Sequence, residues 1–128
     1  DVGDGAAAFG FDVAEIAVAE GFLPDTISTD YYLHHYSNGL EHDVPHIVSK
    51  MIEVGMTAEQ CWSRVTSVPA QVLGLSDTIG RLEVGAVADL CVIELRDEAE
   101  PMVDGRGEVR MGRRWRPVVV VKGGVVVG

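Results

Sequence analysis

The sequence is short of cysteine, with two among 128 residues, and of aromatic side chains, at 6%. Cys61 and Cys91 stand too far apart for a CxxC-type metal or redox motif. Two free thiols in a reducing cytosol are expected, with a lone disulfide as the alternative, and a cytoplasmic location follows. Long apolar runs are missing too. The stretch "VVVVKGGVVVG" is broken by Gly123 and Gly124. Nothing approaches the length a membrane span requires, so no membrane partner is expected. The chain opens "DVGDG", without Met or a signal-peptide pattern, and reads as a cut end. Basic residues are nearly absent from the first half: positions 1–60 hold 11 acids and one Lys, whereas 61–128 hold 9 acids and 9 Lys/Arg. The net charge of −10 therefore lies in the N-terminal half, and it argues against nucleic acid as a general partner. Such an excess fits either a cation-binding region or solvated helix faces.

What is present suits a packed domain, with 47% apolar and 23% charged residues. Phe9, Val13, Ile16 and Ala17 recur at helical spacing up to Gly21 and predict an amphipathic helix. Residues 25–30 predict a strand. Thr26, Ser28 and Asp30 share one small polar face, and Ile27 and Thr29 share the other. A second helix is predicted from Val44, Ile47, Val48, Met51 and Ile52, with Asp43 as N-cap, Pro45 in the first turn and Gly55 closing it. Thr57 and Gln60 in "TAEQ" form a capping box that opens a third helix, with Ala58, Cys61, Trp62 and Val65 inward. Pro69 starts a short fourth helix ending near Gly74. From Gly80 the texture becomes β-rich, and a hairpin is predicted at Lys122-Gly123-Gly124. The intervening "RDEAEPMVDGRGEVRMGRR" reads as a polar connection with short strands. Its arginines (Arg106, Arg110, Arg113, Arg114, Arg116) suit a solvated sheet edge better than a phosphate site.

The alternation of strand and helix is that of a parallel sheet or barrel, where functional residues sit at C-terminal strand ends. Asp4 and Asp30 occupy two successive positions of that kind. Spacing alone leaves open whether each binds a cation, acts as a base, anchors a substrate amine, or merely caps a loop. His34, His35, His42 and His46 cluster within 13 positions. Since His42 precedes the proline-started helix, substrate-loop and surface roles are expected for this cluster rather than an independent metal site.

The segment 66–95, "TSVPAQVLGLSDTIGRLEVGAVADLCVIEL", resembles one common to the amidohydrolase superfamily: T-x-x-P-A-x-x-L-G-L followed by G-x-L-x-x-G-x-x-A-D-L-x-V. "DVGDGAAAFGFDVAEIAVAEGFLPDTISTD" and "MGRRWRPVVVVKGG" are similar to the amidohydrolase/deacetylase metallohydrolases, dihydroorotase-like relatives. The likeness covers nearly the whole chain. It implies an α/β fold: the last βα units of a metal-dependent hydrolase (β/α)₈ barrel, residues 1–79, plus C-terminal strands of a small composite β-sandwich, residues 80–128. It implies a binuclear metal centre, usually zinc (Zn²⁺) with other divalent metals compatible, most of whose ligands are absent from this chain.

By that match Asp30 is both metal ligand and proton shuttle, serving metal-activated water in hydrolysis of an amide or related acyl bond. Asp4, Gly5, His34, Asn38 and Gly39 fall at substrate-facing positions. The family's D-x-G-H-G carries Asp4 here in place of its His, which bears on substrate preference and activity. A full barrel takes roughly 250 residues, so a C-terminal piece, inactive alone, is implied. Its partners are the missing N-terminal barrel portion, a small-molecule substrate and, through exposed edges, further copies of itself. The alternative is a non-catalytic α/β binding or assembly module that keeps this C-terminal architecture.

Overall fold

The computed structural model describes residues 2, 8–31, 33 and 42–128. Among them, helices α1 (Phe11–Ala19), α2 (Val44–Glu53), α3 (Ala58–Val65) and α4 (Ser67–Val72) precede strands β1 (Leu90–Val103), β2 (Val109–Lys122) and β3 (Val125–Val126). The strands form one antiparallel sheet in the order β1-β2-β3.

Local signals place the helices well. Asp43 accepts the His46 N–H at 2.8 Å and caps α2, as expected of an acid before a first-turn proline. The Thr57 hydroxyl accepts from Gln60 N–H at 3.2 Å, and the Gln60 side chain accepts from Thr57 N–H at 2.9 Å, closing the capping box of α3. Gly80 has φ +76° and lies against α4, where an added Cβ would stand 2.7 Å from the Ala70 Cβ and 2.9 Å from the Thr66 carbonyl oxygen. Only glycine meets both demands at once.

The first helix buries a different face from the predicted one. Phe11 is fully buried, and Ala14 and Val18 pack on the core, while Val13 and Ile16 are exposed. Both sets have helical spacing; contact with the hairpin described below selects the first. The strand predicted at 25–30 does not form among the described residues: 25–26 make a bend and 27–30 join no ladder. Single bonds hold the segment instead: Val2 N–H to the Ser28 carbonyl at 3.0 Å, and Ile27 N–H to the Arg64 carbonyl at 3.0 Å.

The polar connection predicted for 96–114 is instead the body of a long hairpin. β1 and β2 pair from Leu90↔Val121 to Val103↔Val109, with irregularities between Val92 and Ile93 and between Leu95 and Ala99. Bulges of this kind twist a hairpin, which suits one wrapped against a helix. The predicted turn at Gly123 and Gly124 joins β2 to β3, and Asp89 accepts the Gly123 N–H at 2.8 Å while pairing with Lys122.

Helix α2 is the centre of the molecule, buried from Pro45 to Met51. Ser49 Oγ donates to the Pro45 carbonyl at 2.7 Å and accepts the Trp115 N–H at 2.9 Å, so one hydroxyl serves helix and strand. Trp62 of α3 meets Trp115 of β2 edge-to-face, with centroids 5.7 Å apart. Met102 of β1 is fully buried in the same core as Phe9, Phe11, Ile47, Val48 and Met51.

Candidate functional site

Asp30 ends the irregular segment 26–30. Along 26–30 the exposure alternates: Thr26, Ser28 and Asp30 are open, Ile27 is buried and Thr29 half-buried, which matches the two faces read from the sequence. The segment is held from the α3 side, where Arg64 Nε donates to the Pro24 carbonyl at 2.6 Å. Asp30 itself has φ +53°, and among the described residues no other non-glycine side chain occupies that left-handed region. Aspartate tolerates it better than most residues, yet the conformation is strained and favours a functional explanation. The next residue is steadied locally, since Tyr31 N–H donates to Thr29 Oγ1 at 3.2 Å.

Asp4, Gly5, His34, Asn38 and Gly39, the expected substrate-facing residues, lie outside the described residues, as does His35. An open cleft of about 960 Å³ adjoins the end of the segment 26–30, lined by Thr29, Tyr31, His42, Asp43, Arg96 and Arg116 among others. Among the described residues no group of three His, Cys, Asp or Glu side chains could hold a metal ion. Asp30 offers a suitable oxygen donor, but one carboxylate is a single ligand, and the described residues do not by themselves fit a metal centre.

A buried polar cluster behind this segment was not foreseen. His42 and His46 are both buried, with ring centroids 5.8 Å apart and nearly perpendicular. They are therefore not surface histidines; burying the proline-started helix carries both inward. His46 Nδ1 lies 2.7 Å from Arg114 Nη2. Arginine only donates, so Nδ1 is the acceptor and the imidazole is neutral. Burial first, and the Arg114 charge second, push His46 down from 6.5 to about 3.

Arg114 and Arg116 both reach Glu100 Oε2, at 3.3 and 2.6 Å. Arg114 is buried, which corrects the expectation of a solvated arginine edge at that position. The signal for it was present: Arg110, Gly112, Arg114 and Arg116 share one strand face. Both cysteines are free thiols. Burial pushes the Cys61 thiol up to about 11, whereas Cys91 is exposed.

The family model described as "Amidohydrolase family" matches residues 27–127. A deacetylase of Agrobacterium fabrum is 42% identical over 125 residues, covering 96% of this chain and 30% of the relative. A deacetylase of Enterococcus faecalis is 33% identical over 127 residues, covering 98% and 34%. Among solved structures, a dihydroorotase matches with TM-score 0.83 at 36% identity over 97% of this chain and 33% of its own. An adenine deaminase matches with TM-score 0.84 at 32% identity over 94% and 33%. The chain thus spans about a third of the length of the relatives it matches. Its α/β architecture is that of the last βα units of an amidohydrolase (β/α)₈ barrel with strands of the small β-sandwich. No helix of the described residues is long and apolar enough to cross a membrane. With the family model spanning nearly all of the residues from the segment 26–30 to β3, this chain belongs to the amidohydrolase family.

Proposed function

We propose that this chain is part of a metal-dependent hydrolase that cleaves an amide or related acyl bond, with removal of an acetyl group favoured by the names of its relatives. In this reading residues 1–79 belong to the closing part of the barrel and 80–128 to the sandwich. The rest of the barrel supplies the remaining metal ligands. Asp4, Gly5, His34, Asn38 and Gly39 face the substrate.

One observation carries the reading. Asp30 is held in a strained conformation at the end of the segment 26–30, exposed, and no hydrogen bond or ion pair from the described residues engages its carboxylate. Strain at an acid without a partner among the described residues suits a group kept ready for chemistry. A divalent cation such as zinc, when bound, supplies Lewis acidity to the carbonyl and acidifies water. The part of Asp30 is to ligate that cation and to carry a proton. Its carboxylate takes the proton as water adds to the acyl carbon, then returns it to the departing nitrogen so that the C–N bond breaks to a free amine.

The test uses the full-length protein loaded with zinc and a panel of N-acetylated amines and amino acids. Asp30→Asn keeps shape and tolerates the left-handed backbone but cannot accept the proton. It should lower kcat by roughly 10²- to 10⁴-fold with little change in Tm. Wild-type kcat in the variant would remove Asp30 from the mechanism.

A further inference from the structure

One residue at the end of α3 takes hold of the segment that leads to Asp30, and it does so twice. Arg64 stands in the last turn of α3, half-buried. Its Nε donates to the Pro24 carbonyl at 2.6 Å, and its own carbonyl accepts the Ile27 N–H at 3.0 Å. Carbonyls in the last turn of a helix lack intrahelical partners, which suits that of Arg64 to the Ile27 N–H. The side chain is aimed by a second bond, from Nη1 to the Gln60 carbonyl at 3.0 Å, four positions back along the helix. Both acceptors of the guanidinium are main-chain oxygens, so its rigid fork serves the placement of backbone.

The hold continues toward the acid. The Ile27 side chain is buried in the core, and the Ser28 carbonyl accepts the Val2 N–H at 3.0 Å. Beyond Asp30, the Tyr31 N–H returns to Thr29 Oγ1 at 3.2 Å. Residues 24, 27 and 28 are thus tied down before Asp30 and residue 31 after it, and the φ of +53° falls on the residue between. A non-glycine residue persists in that region only where its surroundings over-determine it. Arg64 supplies two of these ties, and its bond to Pro24, being charge-assisted, is of the strongest kind among them. We propose that Arg64 is a positioning residue: by holding Pro24 and Ile27 it keeps the Asp30 backbone left-handed and its carboxylate directed for proton transfer. The proposal rests on the role given above to Asp30. A displacement of about 1 Å at a reacting group costs on the order of 10²-fold in rate. An arginine 40 positions from the carbonyl it holds therefore governs turnover.

Two variants of the full-length zinc-loaded protein test it. Arg64→Met removes both side-chain bonds, keeps the apolar stem and leaves the backbone carbonyl for Ile27. It should lower kcat on the N-acetyl panel by about 10- to 100-fold, with KM near wild type. Arg64→Lys keeps one charged donor for the Pro24 carbonyl and should recover part of that loss; where Arg64→Met does not fold, Arg64→Lys is read in its place, with a smaller loss of the same kind. Crystal structures of wild type and variant give a readout independent of turnover. In the variant Asp30 should leave the left-handed region, or its carboxylate should move by about 1 Å. Wild-type kcat, a loss carried by KM, or an unmoved Asp30 would each overturn the positioning role. Asp30→Asn, assayed beside them, decides the hydrolase reading separately: if it keeps wild-type kcat, Asp30 carries no proton and the positioning role falls with it. If the wild type hydrolyses nothing on the panel, the hydrolase reading fails, and the crystal structures alone decide whether Arg64 sets the conformation of Asp30.

Discussion

The segment 27–31 and the turn 104–108 each present an aspartate, and they treat it in opposite ways. Asp104 is buried, and burial alone would raise its carboxyl. Three backbone N–H donors and the Arg106 charge outweigh that and hold it below its ordinary value. Asp30 is exposed, sits at φ +53°, and receives nothing from the described residues. The same contrast separates their surroundings. Around α2 and the hairpin, polar groups are buried and committed: Ser49, His46 and Arg114 all have partners. Around the segment 27–31 and the outer face of α1, groups are open, as with Val13, Ile16 and Phe22. Buried side chains with partners hold the fold, while exposed ones are available to a ligand or a neighbour.

The contrast can be broken by substitution. The largest effect should come from Phe11→Ala, which empties a fully buried site: about 3–5 kcal/mol lost in urea unfolding. Phe22→Ala, at 78% exposure, should stay within about 0.5 kcal/mol; similar losses at the two positions would erase the distinction. Next is acid sensitivity. With His46 pushed down to about 3 in the native chain, the unfolded chain binds a proton there that the native chain refuses. Stability is thus undiminished above the ordinary value of 6.5 and declines as pH falls toward 3, by at most about 1.4 kcal/mol per pH unit. His46→Gln keeps an acceptor for Arg114 and should flatten that decline. A denaturation series showing the wild-type slope in the variant would contradict the assignment. The smallest effect is expected at Asp30→Gly. Relief of the left-handed strain, offset by glycine's entropy, should stabilise the fold by a few tenths to about 1 kcal/mol in urea unfolding. Destabilisation there would mean that the Asp30 side chain is structural after all.

What the sequence disclosed was mostly what neighbours in the chain decide together. The Asp43 cap, the Thr57–Gln60 box and the Gly123-Gly124 turn are settled within a few positions, so their residues announce them. The buried face of α1 is settled elsewhere. Phe11, Ala14 and Val18 outrank Val13 and Ile16 because a turn 93 positions away binds the Phe11 N–H. The hairpin was hidden for a related reason. Its inward face carries Arg110, Gly112 and Arg114, so charge masks an alternation that apolar residues would have shown. Asp30 could be singled out by its motif, but its backbone strain depends on how Arg64 and Val2 hold the segment, which no local pattern encodes.

The edge-to-face pair of Trp62 and Trp115 has a practical use. These are the only two tryptophans in the sequence, and they meet where α3 lies on β2. All of the indole emission of this chain therefore originates at one joint. Loosening of the helical layer from the hairpin changes that signal before either layer melts, giving the protein a built-in optical reporter of the contact between them.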